Sequence, residues 1–437
     1  MKYPKYPAYK DSGVEWIGEI PATWSIKRLK YIIEKFIGGG TPSTGVSDYW
    51  TTEGGFSWVA ISDITKTDSI METERKITVS GLNSKNLTLH PPGTIVYSMY
   101  ASVGKVSKLL ITAATNQAIL GLVNRENQVL NDYLKLSLEA FEPFVGLLFS
   151  SNTQNNINEE KVKNIIIPLT HIADQASIIR FLSTKNVLTD NLISKTQKMI
   201  GLLKEKRQAI ITKAVTKGLD PNVPMKDSGV EWIGEIPEHW KLSRIKFVSE
   251  VTMGQSPSSD FYLDNGNLPF LQGCAEFGEI FPNPKHYCEV ATKTSRPGDI
   301  LLSVRAPVGE INLSDRVYGI GRGLCSIRPL TSKGDYLKWY LFAAKNKLIS
   351  ISNGSTYDAV AIGDVKNLEI PISMVEFEQN AICEYLNIET TKIELIISKH
   401  LKLIDLLKEY RTSLITQAVT GKIDVRGFTH PATSSDT

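Results

Sequence analysis

Cysteine is scarce in this 437-residue sequence, and the four that occur, Cys274, Cys288, Cys325 and Cys383, all lie in its second half. The two halves repeat one another, so neither a disulfide framework nor a zinc site can be essential to the fold they share. Cys274, His286 and Cys288 stand close together, but their spacing fits no zinc pattern and reads as buried reduced thiols. No run approaches the roughly 18 apolar residues of a membrane span, and the opening MKYPKYPAYKDSG lacks the apolar core of a signal peptide. A cytoplasmic chain with no membrane partner is expected.

Catalytic signatures are missing as well. There is no GxxxxGK[ST] phosphate loop, no GxGxxG after a strand and no HExxH, and the six histidines form no triad with a serine or cysteine. Asn283-Pro284-Lys285-His286 only grazes an adenine-methylase loop, and no glycine-rich cofactor loop accompanies it. Asp358, Asp364 and Lys366 resemble a nuclease carboxylate–lysine set that the first half does not reproduce. The expectation is a chain with no catalytic residue, no metal and no cofactor of its own.

What the sequence does have is repetition. KDSGVEWIGEIP runs from Lys10 to Pro21 and again, letter for letter, from Lys226 to Pro237; Trp24, Arg28 and Lys30 meet Trp240, Arg244 and Lys246 at the same offset of 216 (226 − 10). LLKEKRQAIITKAVTKGLD from Leu202 matches LLKEYRTSLITQAVTGKID from Leu406. The unit is half the chain, too long for a solenoid repeat, and means a duplicated domain plus a duplicated connector. Composition agrees with ordinary globular domains, at 42% hydrophobic and 22% charged residues with a net charge of +3. Seven Lys or Arg against one acid, Glu205, fall between Lys195 and Lys217, a run that reads as a solvated helix face.

Within the first repeat, Thr94–Met99 after the turn at Pro91–Gly93 and Asn164–Pro168 read as strands, and Asp132–Phe141 as a helix. The second repeat keeps the order with Ile300–Val304, Asp335–Lys338 and Val365–Pro371. Two compact α/β (α+β) domains of about 150 residues follow. After each domain the period changes. Ile178, Leu182, Leu192, Met199, Leu203 and Ile210 recur every 3.5 residues, as do Ile382, Leu386, Ile393, Ile396, Leu403, Leu407 and Leu414. Ser373 and Glu376 have capping-box spacing, and Gly218 and Gly421 stand where helices end. Each helix would be about 66 Å long, more than a 150-residue globule can cover, which favours an antiparallel coiled-coil pair with pseudo-two-fold symmetry over two helices packed on their own domains. The expected division is 1–170 first domain, 171–220 central helix, 221–373 second domain, 374–424 C-terminal helix and 425–437 flexible tail.

The box DSGVEWIGEIP with its following tryptophan, the turn Gly40–Ser43, the Pro-Gly-Thr strand, Asn116-Gln117 and the Ala-Val-Thr helix end together resemble the specificity subunit of type I restriction–modification systems, across nearly the whole chain. The resemblance implies two target-recognition domains, each reading one half of a split double-stranded DNA sequence. It further implies paired helices that dock methyltransferase (M) subunits and a restriction (R) motor-nuclease subunit, with S-adenosylmethionine, and ATP with Mg for cleavage, on those partners. A coiled-coil scaffold that binds only proteins is the alternative.

Positions shared by two domains that read different bases cannot carry the difference; they hold the fold or grip the DNA backbone, whereas divergent loops suit base edges. Thr41 and Ser43 face Ser256 and Ser258, Ser98 faces Ser303, Tyr100 stands where Arg305 does, and Gln117 faces Arg322. The halves diverge most between Pro42 and Pro92 and between Pro257 and Pro297, intervals of 50 and 40. Base readers are expected there: Trp58, Asp63, Lys66 and Lys85 in the first domain, Gln272, Glu276, Lys285, His286 and Tyr287 in the second. Trp58 fits core packing equally well. Trp16, Ile17, Ile20 and Trp24 read as an apolar clasp, with partner docking as the alternative.

Overall fold

The structure is a computed structural model and describes residues 3–149, 156–258, 261–330, 334–352 and 359–429. The chain forms two compact units, residues 1–195 with 402–437, and residues 196–401. Each unit holds one repeat and a part of both long helices.

In the first unit, strands Ile33–Gly38, Ile119–Asn124, Ile95–Ser98, Val106–Leu109 and Ser69–Ile70 lie side by side in that order, antiparallel except for the last pair. A smaller sheet orders Ala113–Thr115, Phe56–Val59, Arg75–Ile77 and Trp50–Thr51. The continuous apolar run Ile95-Val96-Tyr97 is buried throughout because alternate side chains enter different cores. Ile95 and Tyr97 pack in the main core with the helix Asn131–Phe141, and Val96 packs between the sheets with Val59 and Ile119.

The second unit repeats the plan. Strands Ser249–Met253, Leu324–Pro329, Ile300–Ser303 and Ile311–Leu313 form the main sheet, and Tyr262–Leu263, His286–Cys288, Leu268–Leu271 and Gly319–Ile320 the smaller one. Ile300 and Leu302 face the main core while Leu301 joins Leu271 and Ile320. The segment Val365–Pro371 is only partly extended: Asp364 accepts the Ala361 amide at 3.0 Å, closing a helix Ile362–Asn367, and the strand begins at Glu369. That capping bond is the role of Asp364; Asp358 lies outside the described residues.

Each duplicated box is a clasp. Asp11 and Asp227 accept the amides of Gly13 and Gly229, both at 2.9 Å, and Trp24 and Trp240 are buried to 1% or less. The clasp seats on the glycine that ends a helix. Gly421, at a φ of +70°, lies against Pro21 and Trp24, and Gly218, at +73°, against Trp240 and Pro237. A β-carbon at Gly421 would stand 2.4 Å from Pro21. In each unit a buried tyrosine ties the helix end to a strand: Tyr133 donates to Pro168 (3.2 Å) and Val419 (3.3 Å), Tyr336 to Pro371 (2.9 Å) and Val215 (3.1 Å). In the second unit the helix and its clasp are consecutive in the chain. In the first they are opposite ends of it, held by the Asp424 amide on the Pro4 carbonyl (2.8 Å) and Tyr9 on the Gly421 carbonyl (3.1 Å).

The long helices run Ile172–Lys217 and Glu376–Val419, 46 and 44 residues, about 69 and 66 Å at 1.5 Å per residue. In the first unit Ile178 and Leu182 share a core with Leu414 and Ala418, and Arg411 pairs with Asp190 at 2.6 Å. In the second, Ile211 and Val215 share a core with Ile382 and Leu386, and Arg207 pairs with Glu394 at 3.1 Å. Within each unit, numbers rising along one helix meet numbers falling along the other, so the segments are antiparallel.

The seam differs from the expected one at four of its thirteen positions. Ile178, Leu182, Leu203, Ile210, Ile382, Leu386, Ile393, Leu407 and Leu414 are buried or half-buried, but Leu192, Met199, Ile396 and Leu403 are exposed. Their neighbours Ile193, Ile200, Ile397 and Ile404 turn inward instead. Each of these pairs offers two consecutive apolar residues, 100° apart on a helix, so the spacing alone could not say which one faces the partner. At the start of the second helix Ser373 accepts the Val375 amide at 3.0 Å and donates to Glu378 at 2.5 Å.

Candidate nucleic-acid interface

One end of each main sheet gathers the loops that the two repeats share. Gly38, Ser98 and Ile119 lie together at that end in the first unit, so the loops 39–43, 99–104 and 116–118 leave from one edge. The Gly40 amide donates to Thr115 (2.8 Å), the Thr41 hydroxyl bonds the exposed Gln117 side chain, and Lys85 approaches Gly40. In the second unit the Gln255 amide donates to Ile320 (2.8 Å), and the amide of exposed Arg322 donates to the Ser256 hydroxyl (3.3 Å). The same loop pair is thus built twice, ending in a neutral amide in one repeat and a guanidinium in the other. Space for it is made by Gly39 and Gly254, where a β-carbon would fall 2.0 Å from the Asn116 carbonyl oxygen and 2.1 Å from that of Gly321.

Several residues expected to touch DNA face inward. Ser98 and Ser303 are buried, and their hydroxyls close their own loops on the carbonyls of Tyr100 (3.0 Å) and Pro307 (2.6 Å). Trp58 is buried, its indole N–H on the Gly40 carbonyl at 3.0 Å, so the core-packing reading holds and it supports the loop from beneath. Asp63 and Glu276 are buried caps: each carboxylate accepts the amide three residues earlier, that of Ala60 at 2.8 Å and of Gly273 at 3.3 Å. Both caps follow equivalent strands, so they are shared framework that the unequal segment lengths concealed.

Lys66 is exposed but neutralised by Glu74, and Tyr100 is half-buried against the main core. Ser43, Lys85, Gln272, Lys285, His286, Arg305 and Arg322 are exposed, as is Ser258, and Thr41, Ser256 and Tyr287 are half-buried. Arg305 replaces Tyr100 with an exposed cation that has no ion pair among the described residues and whose backbone bridges Ala359. Sequence reasoning missed Trp50 and Arg75. Trp50 donates to the Ser43 carbonyl at 3.1 Å, and Arg75 lies 5.7 Å from its ring. The signal for them is the strand register, which the ten-residue difference in segment length hides.

The family model for the type I restriction modification DNA specificity domain matches this chain twice, over residues 21–200 and 237–404. The chain belongs to that family. Among its relatives is the MjaX type I restriction enzyme specificity subunit of Methanocaldococcus jannaschii, 30% identical over 94% of this chain and 96% of the relative. The MjaIX specificity subunit of the same organism is 24% identical over 94% and 95%. Two solved structures share the fold. A chain from work on complex assembly and conformational transition of the type I R-M system has a TM-score of 0.67 at 22% identity, covering 92% of this chain and 98% of that one. The HsdS subunit of Thermoanaerobacter tengcongensis has a TM-score of 0.50 at 21% identity and the same coverage. The protein is therefore a DNA sequence-recognition chain of a type I restriction–modification system, and among the described residues no helix is long and apolar enough to cross a membrane.

Proposed function

We propose that each unit reads one half of a bipartite DNA sequence in the cytoplasm, and that the chain lends specificity to a reaction performed by methyltransferase and restriction subunits. The observation that carries this reading is the loop pair built twice on the same sheet end, with Thr41–Gln117 in one repeat and Ser256–Arg322 in the other. A protein that must hold DNA in one way and read it in two keeps the scaffold and changes its exposed tips. S-adenosylmethionine, and ATP with Mg for cleavage, belong to the partners on this reading.

The helices supply the spacing and a surface for those partners. Leu188, Leu192, Met199 and Leu202 on the first, and Leu395, Ile396, Leu403 and Leu406 on the second, are all more than 40% exposed. Apolar stripes outside a seam already filled by other side chains suit further helices from a partner.

The test is DNA binding by the chain assembled with its methyltransferase partner. Affinity should fall steeply as salt rises, and exchanging residues 44–90 for the segment of another reader should change one half of the methylated motif. A flat salt response or no DNA retention with any partner would favour the protein-only scaffold, and changes in both halves would refute independent reading.

A further inference from the structure

The smaller sheets align the two repeats where their sequences cannot be aligned. In the first, Arg75 pairs with Trp58 and Ile77 with Trp50; in the second, His286 pairs with Phe270 and Cys288 with Tyr262. Trp58 and Phe270 both lie on the strand that runs parallel beside Ala113–Thr115 or Gly319–Ile320. Each repeat therefore carries an aromatic pair at the same place, Trp50–Trp58 with ring centroids 5.0 Å apart and Tyr262–Phe270 at 5.3 Å. On the strand between them, at one register position, stand Arg75 and His286, both exposed.

We infer that Arg75 and His286 are equivalent base-reading positions and set part of the difference between the two recognised half-sequences. This rests on the DNA-reading function proposed above. A reader must be exposed, suitably placed and different between the repeats; these two residues are exposed, stand at one register position beside an aromatic pair and differ, and Arg75 is also held in a fixed direction. Trp50 is fixed by its N–H on the Ser43 carbonyl and by its edge contact with Trp58. Its ring holds the Arg75 guanidinium by a cation–π contact, and Arg75 forms no ion pair among the described residues, so its donor fork stays available. The neighbouring Ser47, Thr51 and Lys76 line the same open cleft. A planar fork of donors in a fixed direction matches the two major-groove acceptors of guanine, N7 and O6, whereas an imidazole offers one donor or acceptor per nitrogen and suits a different base edge.

The experiment uses the full chain assembled with its methyltransferase partner and a library of duplexes varied in each half-site. Arg75→Ala should lower affinity for the preferred first half-site roughly 5- to 150-fold and flatten preference at one position there, leaving the second half-site unchanged. Arg75→Lys should keep the salt dependence of binding yet lose the same preference, because it retains the charge without the fork. His286→Ala should mirror the first result in the second half. A uniform loss on all sequences, with a shallower salt dependence, would make Arg75 a phosphate contact and overturn the assignment, as would unchanged preference in both variants. A wild-type complex with no sequence preference would instead overturn the reading beneath it.

Discussion

The two repeats build the same sheet and fill it differently. At equivalent places beneath it, the first repeat has His90, Thr94 and Gly121, and the second Ser295, Asp299 and Ser326. In the first, the buried imidazole occupies the room that Gly121 leaves, where a β-carbon would stand 2.2 Å from His90 Nδ1. In the second, Ser295 is small, Ser326 reaches Asp299 at 2.6 Å, and Arg328 binds Asp299 through Nε (2.8 Å) and a terminal nitrogen (2.9 Å). Even the preceding turn follows suit. Asp299 accepts the Arg296 amide at 2.8 Å, whereas Pro91, the counterpart of Arg296, has no amide hydrogen to satisfy. Volume and hydrogen bonding were thus traded together, and one polar arrangement cannot be exchanged piecemeal for the other.

The most damaging way to test that comparison is to remove Asp299, which is 1% exposed. Asp299→Ala leaves Arg328 with Glu250 alone (3.0 Å), strands the Arg296 amide and the Ser326 hydroxyl, and should cost about 3 kcal/mol in the second unit. Thr94→Ala loses one bond to the Pro91 carbonyl and should cost about 1 kcal/mol in the first. Hydrogen exchange read separately on the strands Ile95–Ser98 and Ile300–Ser303 distinguishes the two; equal losses would mean that the repeats do not differ as described.

Acid should expose the opposite weakness. Burial pushes the His90 imidazole down to about 4, while the same group in the unfolded chain titrates near its ordinary value of about 6.5. Between those values the unfolded state binds a proton that the folded state refuses. The stabilisation is therefore complete above about 6.5 and is lost as pH falls toward 4, by up to about 3 kcal/mol. Ser295 cannot titrate in this range, so the extra acid sensitivity belongs to the first repeat. Exchange protection measured from pH 7 to 4.5, corrected for intrinsic rates, should fall more at Ile95–Ser98; a parallel fall at Ile300–Ser303 would remove His90 as its cause.

These interior differences bear on what the sequence could tell. The duplicated box exposed the plan at once, and its apolar letters pack: Ile17, Ile20 and their copies are all buried, as are the tryptophans that follow, Trp24 and Trp240. The long helices were legible from period alone, but not which of Leu192 or Ile193, Met199 or Ile200 faces inward, since a stripe of apolar pairs has two admissible centres. The candidate readers were the least legible. Asp63 and Glu276 look like ideal base contacts in divergent segments, yet both are caps, and only hydrogen-bonded register shows that they follow equivalent strands. The same register found Arg75, which lies within the longer segment and has no counterpart visible in the letters.

The smallest contrast lies in the clasps, where sequence identity predicts equal behaviour and the structure does not. Trp240 donates its indole N–H to Glu378 at 3.0 Å, and that carboxylate also holds Ser373 and His239. Trp24, which follows the identical box at the same distance, is equally buried and its N–H has no partner among the described residues. Replacing either by phenylalanine removes about the same volume, so the packing loss should be similar. Trp240→Phe also deletes a hydrogen bond to a charged group, worth about 1.5–3 kcal/mol, whereas Trp24→Phe relieves a buried donor of its missing acceptor. Denaturant unfolding should therefore find Trp240→Phe the less stable by about 2 kcal/mol. Adding Glu378→Gln to each variant should affect the Trp24→Phe protein more, because only there does the carboxylate still hold an indole. Equal costs in both backgrounds would mean that the helix start and the clasp are not coupled through this carboxylate.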